Sequence, residues 1–181
     1  NKLQQINMNI LYLHGLESKL SPEKRQILEK FGDVIAPDLD YKSHPNMIQQ
    51  LIDEYKNEPI DAIIGSSIGG FAGYYLAKNL GVQAMLYNPA LPYRTSIEQF
   101  IPEIVAKNPL ADLRIVLGGL DDVIKAKDNL TFLAENYDFE RNYQIVIRKE
   151  LGHQIPIAVF EEETNAFFEN NGKNRINIIK T

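Results

Sequence analysis

Short apolar runs alternate with longer amphipathic ones along most of this 181-residue chain. The runs Asn9 to Leu13, Val34 to Ala36, Ile60 to Ile64, Gln83 to Tyr87, Leu113 to Leu117 and Tyr143 to Ile147 have the length and apolar density of strands. Between them, apolar residues recur at helical spacing. Ser21 and Pro22 open a helix as N-cap and first helical residue, Leu28 and Phe31 face inward, and Gly32 closes it. Further helices are expected over Asn46 to Tyr55, Ile68 to Leu80 with Gly81 as its end, Ser96 to Ala106, Ile124 to Glu135 and Ile157 to Phe168. Arg175 to Ile179 reads as a small extra strand or an ordered tail. Strands alternating with helices imply parallel pairing through right-handed crossovers, and strands apolar throughout imply a sheet covered on both faces. The expected architecture is a three-layer α/β fold of about six mostly parallel strands. Residues 8–170 are expected to form one domain, with 171–181 a C-terminal extension and 1–7 an added or extended start outside the fold.

Composition narrows the function classes. Hydrophobic residues make up 44% and charged residues 24%, ordinary values for a globular protein. The net charge of −5 and the absence of a basic, aromatic-laced cluster argue against a nucleic-acid partner. No apolar run reaches the length of a membrane span, and Met8 to Leu13 is too short for a signal-peptide core. With no cysteine, disulfides, Cys-type zinc sites and a thiol nucleophile are excluded, which suits a reducing cytoplasm.

The chemistry concentrates at Gly65-Ser66-Ser67-Ile68-Gly69, where an apolar strand meets a helix. This is G-x-S-x-G in the context a nucleophile elbow requires: a sharp turn that lifts Ser67 above the sheet, with glycines where strand and helix pass closely. The five letters alone recur by chance, so the rest of the chain must supply a base, an orienting acid and an oxyanion hole. It does so in the order Ser, Asp, His. Asp121 follows one later strand in Gly118-Gly119-Leu120-Asp121-Asp122, and His153 follows the next in Gly152-His153-Gln154. A carboxylate at a strand end can equally serve as a helix cap. Asp122 is the competing acid, and Asp121 is preferred because it stands three residues after Gly118. His14-Gly15-Leu16 follows the first strand and makes the Leu16 and Ile68 N–H groups the expected oxyanion donors. His14 is read as structural and close to the pocket, His44 as solvated or a local cap, and Ser66 as the strand's end, pointing away. The glycines fit neither G-x-G-x-x-G nor a P-loop, and H-E-x-x-H is absent, so neither a nucleotide nor a metal is expected.

The segments Ile10 to Ser18 (I-L-Y-L-H-G-L-E-S), Gly65 to Gly70, Tyr87 to Tyr93 (Y-N-P-A-L-P-Y), Asp121 to Ile124 and Gly152-His153 resemble the small YqiA-like bacterial esterases of the α/β-hydrolase superfamily. The resemblance runs from about Met8 to Phe168. It implies a carboxylic-ester or thioester hydrolase that needs no cofactor, with the triad carried over as Ser67, Asp121 and His153. Where such esterases have Arg-Pro after N-P-A, this chain has Leu91-Pro92, with Arg94 two residues on. The segment Asn88 to Asp112 has room for one helix and no cap domain. An open, shallow site is therefore expected, bordered by His14, Leu16, Phe71, Leu91 and Tyr93. A binding protein without turnover, or an acyltransferase or peptidase using the same triad, are the alternative readings.

Overall fold

The computed structural model describes residues 7–92 and 97–169, and the backbone of 176–180. Seven parallel strands form one sheet: β1 (Met8–Leu13), β2 (Gly32–Ile35), β3 (Ala62–Ser66), β4 (Gln83–Tyr87), β5 (Leu113–Gly118), β6 (Tyr143–Arg148) and β7 (Ile176–Lys180). Their spatial order is β2-β1-β3-β4-β5-β6-β7. Five helices join them: α1 (Pro22–Glu29), α2 (Met47–Tyr55), α3 (Ile68–Leu80), α4 (Ala126–Glu135) and α5 (Ile157–Glu169). The expected α/β fold is present, with the Ile176–Lys180 strand added beside β6, and no cap domain is evident among the described residues.

Alternation along each strand sorts the side chains into two cores. Leu11 and Leu13 of β1, Ile63 of β3, Leu86 of β4 and Ile115 and Leu117 of β5 pack with residues of α2, α3 and α4. Ile10, Tyr12, Ile64, Met85, Tyr87 and Val116 face the opposite side, where α1 and α5 lie. Both faces are covered, which is why these strands read as continuously apolar. Arg114 interrupts the second face yet is buried. Its guanidinium bonds Glu163 of α5 at 2.6 and 2.9 Å and Gln144 of β6 at 2.8 Å. Arg148, at the end of β6, bonds both Glu163 and Glu162 at 2.9 Å. Burial is repaid here because every charge has a close partner of opposite sign.

Two expectations on the elements need correction. The helix expected over Ser96 to Ala106 is absent from its described part, residues 97–106, which carry neither helix nor strand. Pro102 would stand in that helix's interior, where it lacks a donor, clashes with the preceding turn and pushes Ile101 out of helical geometry. The segment runs extended instead: Ile97 and Gln99 are buried while Glu98 and Phe100 are exposed, a strand-like alternation. Gln99 Nε2 donates to the carbonyls of Tyr41 and His44 at 2.8 and 3.0 Å, and Phe100 N donates to Pro45 O at 2.8 Å. Gly32 was expected to end the first helix; it opens β2, and α1 stops at Glu29. A Cβ at position 32 would collide with the Met8 carbonyl, so glycine serves the close β1–β2 approach.

The strand order places the site. The chain runs from β1 outward to the edge strand β2, then crosses back past β1 to β3. Connections thus leave the β1–β3 pair in opposite directions. In open parallel sheets such a reversal leaves a crevice beyond the carboxyl ends of the two strands. At those ends stand His14-Gly15-Leu16 and Ser66-Ser67.

Candidate active site

Ser67 links β3 to α3 with φ 54° and ψ −117°, a left-handed conformation that costs a non-glycine residue about 1–3 kcal/mol. The surroundings fix it there. Ser67 N donates to Tyr87 O at 3.0 Å, and Ser67 O accepts from Phe71 N and Ala90 N at 3.0 Å each. A Cβ on Gly65 would meet the Gly69 carbonyl, and one on Gly69 would meet the carbonyls of Leu13 and His14. Strand, turn and helix can approach this closely only with glycine at both positions.

Asp121 follows β5 and is buried, its side chain fully so. One carboxylate oxygen, Oδ1, accepts from the backbone N–H groups of Val123 and Ile124 at 2.9 and 2.8 Å. The other, Oδ2, lies 2.8 Å from His153 Nδ1. An ionised carboxylate only accepts, so Nδ1 carries a hydrogen, and in the neutral imidazole the lone pair is then on Nε2. Asp122 is exposed and stands outside this bond.

Ser67 and His153 border one cavity of about 310 Å³. Its wall also includes Leu16, Ser18, Ile68, Ala90, Ile97, Val123 and Ile124, and Ser66 borders it as well. Ser66 is thus closer to the site than its place at the strand's end suggested. Ile68 is the first residue of α3, so its N–H has no acceptor within the helix. Leu16 and Val123 are exposed at the cavity's mouth, with Leu120 exposed nearby on the Asp121 loop.

Phe71, Leu91 and His14, also expected at the pocket, do not line this cavity. Phe71 and Leu91 are 2% and 3% exposed and belong to the core beneath the site, Phe71 in edge contact with Tyr75. Tyr93 lies outside the described residues. His14 is buried, and both ring nitrogens are engaged: Nε2 accepts from Leu39 N at 2.8 Å, and Nδ1 faces the Gly15 carbonyl. Since an N–H only donates and a carbonyl only accepts, the imidazole is the neutral Nδ1–H form. Its own carbonyl accepts from Tyr41 Oη at 2.8 Å, so His14 ties the end of β1 to residues 39–41. It lines a second hollow of about 460 Å³, together with Glu17, Lys19, Asp38, Asp40 and Lys42. That hollow is larger, but Ser67, Asp121 and His153 do not line it, and it shares only Leu16 and Ser18 with the smaller cavity. His44 is exposed, its Nδ1 2.9 Å from Asp40 O.

One residue at the site escapes motif reasoning. Asn88, directly after β4, is 1% exposed and has φ 39°. Its amide spans to Gly118 at the end of β5 and to the carbonyls of Gly152 and His153. Its place in N-P-A was the only signal available for it.

Among the described residues, no helix is long and apolar enough to cross a membrane. No curated protein matches the chain. Solved structures do. Est1E from Butyrivibrio proteoclasticus superposes with a TM-score of 0.64 at 14% identity, over 90% of this chain and 87% of that one. The Bacillus cereus carboxylesterase gives 0.62 at 15% identity, over 90% and 88%. Arabidopsis thaliana SOBER1 gives 0.61 at 16% identity, over 92% and 100%. At such identities the likeness is one of fold, and the fold is that of α/β hydrolases. Residues 9–117, from β1 through β5 and including Ser67 and Asn88, match an established family, and the chain belongs to that uncharacterised protein family, UPF0227.

Proposed function

We propose that the chain is a serine hydrolase that cleaves carboxylic esters or thioesters through an acyl-enzyme. Ser67 Oγ is the nucleophile and His153 Nε2 the base. As the hydroxyl attacks the acyl carbonyl carbon, His153 takes its proton, and Asp121 holds the imidazole in the required tautomer and stabilises the cation. The Leu16 and Ile68 N–H groups receive the oxyanion. His153 then gives the proton to the departing alkoxide or thiolate. Water attacks the acyl-enzyme, His153 takes a proton from it, and that proton returns to Ser67 Oγ as the acid leaves.

The observation that carries this reading is the juxtaposition of a strained, left-handed Ser67 with an Asp121-oriented His153 around one cavity. With Nδ1 held by Asp121, Nε2 is the ring nitrogen left for a base, and the residue that carries it borders the same cavity as Ser67. A cavity of about 310 Å³ at the low end of ligand pockets suits a small acyl group, or the reacting end of a longer chain. The fold likeness to a carboxylesterase and to Est1E is in keeping with this chemistry.

The test is labelling with a fluorophosphonate followed by peptide mapping, alongside hydrolysis of short nitrophenyl esters and acyl thioesters. The label is expected on Ser67, and Ser67→Ala is expected to lose both label and turnover. Hydrolysis by Ser67→Ala at the wild-type rate would overturn the proposal.

A further inference from the structure

The segment Tyr87-Asn88-Pro89-Ala90 touches all three loops that bring Ser67, Asp121 and His153 together. Its main chain brackets the serine: Tyr87 O accepts from Ser67 N, and Ala90 N donates to Ser67 O, both at 3.0 Å. Pro89 lies against the α3 backbone at Gly70, where a Cβ would meet the proline ring. The Asn88 side chain reaches the other way. Its Oδ1 accepts from Gly118 N at 2.7 Å, at the root of the Asp121 loop. Its Nδ2 donates to Gly152 O at 2.9 Å and to His153 O at 3.1 Å.

These bonds all go to backbone atoms of two different loops, so they fix main-chain separation and leave the reacting side chains free. Gly118 is in turn tied to the acid, since Asp121 N donates to Gly118 O at 3.2 Å. The two loops are also joined by Leu120 N donating to Leu151 O at 2.9 Å and Gly119 N donating to Arg148 O at 2.8 Å. Asn88 differs from those contacts in one respect: it alone, among the described residues, bonds the peptide of His153 itself. The backbone is shaped for the task. With φ 39°, Asn88 occupies the left-handed region, which asparagine tolerates better than most residues. Its N–H still extends the ladder to Val116 O at 2.8 Å.

We propose that Asn88 is a positioning residue that sets the height of His153 over Ser67 by clamping the His153 loop to the Asp121 loop. The role deepens, and rests on, the reading of the site as a serine hydrolase. Asparagine suits it because one amide offers an acceptor to Gly118 N–H and two donors to two carbonyls. Aspartate keeps the acceptor but turns an anionic oxygen toward the carbonyls of Gly152 and His153, which repels them. Glycine keeps the backbone conformation and removes the clamp.

The experiment compares wild type, Asn88→Asp and Asn88→Gly. Folding is followed by circular dichroism, the His153 Nδ1 proton by nitrogen-15 histidine NMR, and kcat and KM on a nitrophenyl ester. In folded variants the hydrogen-bonded Nδ1 proton of His153 is expected to lose or shift its low-field signal while those of His14 and His44 stay in place. The kcat should fall by about 10²-fold, the usual effect of a misplaced reacting group, with KM within about twofold. A folded variant with the wild-type His153 signal and kcat overturns the proposal, as does loss of the folded state in both variants, which would make Asn88 a purely structural clamp. The NMR signal separates this proposal from the broader one. If Ser67→Ala hydrolyses as well as wild type, the hydrolase reading fails, yet the His153 signal still decides what Asn88 holds.

Discussion

His153 Nδ1 lies 2.8 Å from Asp121 Oδ2, and the remaining oxygen of that carboxylate is taken by the N–H groups of Val123 and Ile124. The acid is therefore aimed at the imidazole by its own loop. It is an Asx-type turn, in which an Asp side chain bonds backbone two and three residues on. The helix cap that the sequence offers as the alternative role is not what Asp121 does: α4 starts at Ala126 with Lys125 as its N-cap, and the Asp121 bonds to residues 123 and 124 shape the loop before it.

That division of labour separates activity from stability in Asp121→Asn. The amide oxygen can still accept from residues 123 and 124. The NH₂ group, however, would face Nδ1 and favour the wrong tautomer. A fall in kcat of about 10⁴-fold is expected, as in triads treated the same way, with little change in Tm. Ester hydrolysis and a thermal melt on the same preparation check both halves.

Ser67 stores strain that a glycine would release. Ser67→Ala keeps the left-handed backbone and its cost; Ser67→Gly relieves it, less the extra entropy of an unfolded glycine. Both variants should be inactive, and Ser67→Gly should be the more stable of the two by about 1 kcal/mol. Denaturant midpoints at constant slope measure the difference.

The buried charges of Arg114 and Glu163 depend on each other. Glu163→Ala leaves Arg114 buried without its anion and should cost about 3–5 kcal/mol. Replacing both, as in Arg114→Met with Glu163→Leu, should recover the part of that loss owed to the stranded guanidinium, while the bonds to Arg148 and Gln144 stay lost. A double-mutant cycle by chemical denaturation tests the sign of the coupling.

Buried phenols set the alkaline limit of the fold. Burial pushes the Tyr12 hydroxyl up to about 12 from its ordinary 10.0, and raises Tyr41, Tyr74 and Tyr87 further. Above pH of about 10 the unfolded chain loses tyrosine protons that the folded chain keeps, so the unfolded state binds fewer protons and stability falls as pH rises. Stability should be unaffected by these groups below that point and decline from there toward about 12. In an alkaline titration, the part of the tyrosine absorbance change that belongs to the buried phenols should coincide with the loss of circular dichroism.

Much of the fold is legible in the sequence because periodicity reports burial directly. Ile68 to Leu80 and Gln83 to Tyr87 have the expected bounds. The missing helix around Pro102 illustrates the limit: Ile97, Ile101 and Ile104 have helical spacing, but one imino acid overrides it. Phe71 was expected as an apolar wall of the pocket; it is buried in the core that the sheet shares with α2 and α3, which is the helix-packing alternative for an apolar residue there. Asn88 was hardest to read. A single amide between a strand and a proline has no periodicity, and its three partners are 30 to 65 residues away.

The Arg148–Glu163 bond spans 15 residues and encloses the turn that carries His153. One end is the last residue of β6; the other is buried in α5, held also by Arg114. A residue added to or removed from 149–156 could not be accommodated by sliding α5 along the sheet, since that would separate charges that burial makes expensive to part. The change would instead bulge at the histidine. Variation in loop length should therefore be nearly forbidden there and better tolerated around 103–106, so that new specificity in this scaffold would be acquired more readily on the β4–β5 side than on the histidine side.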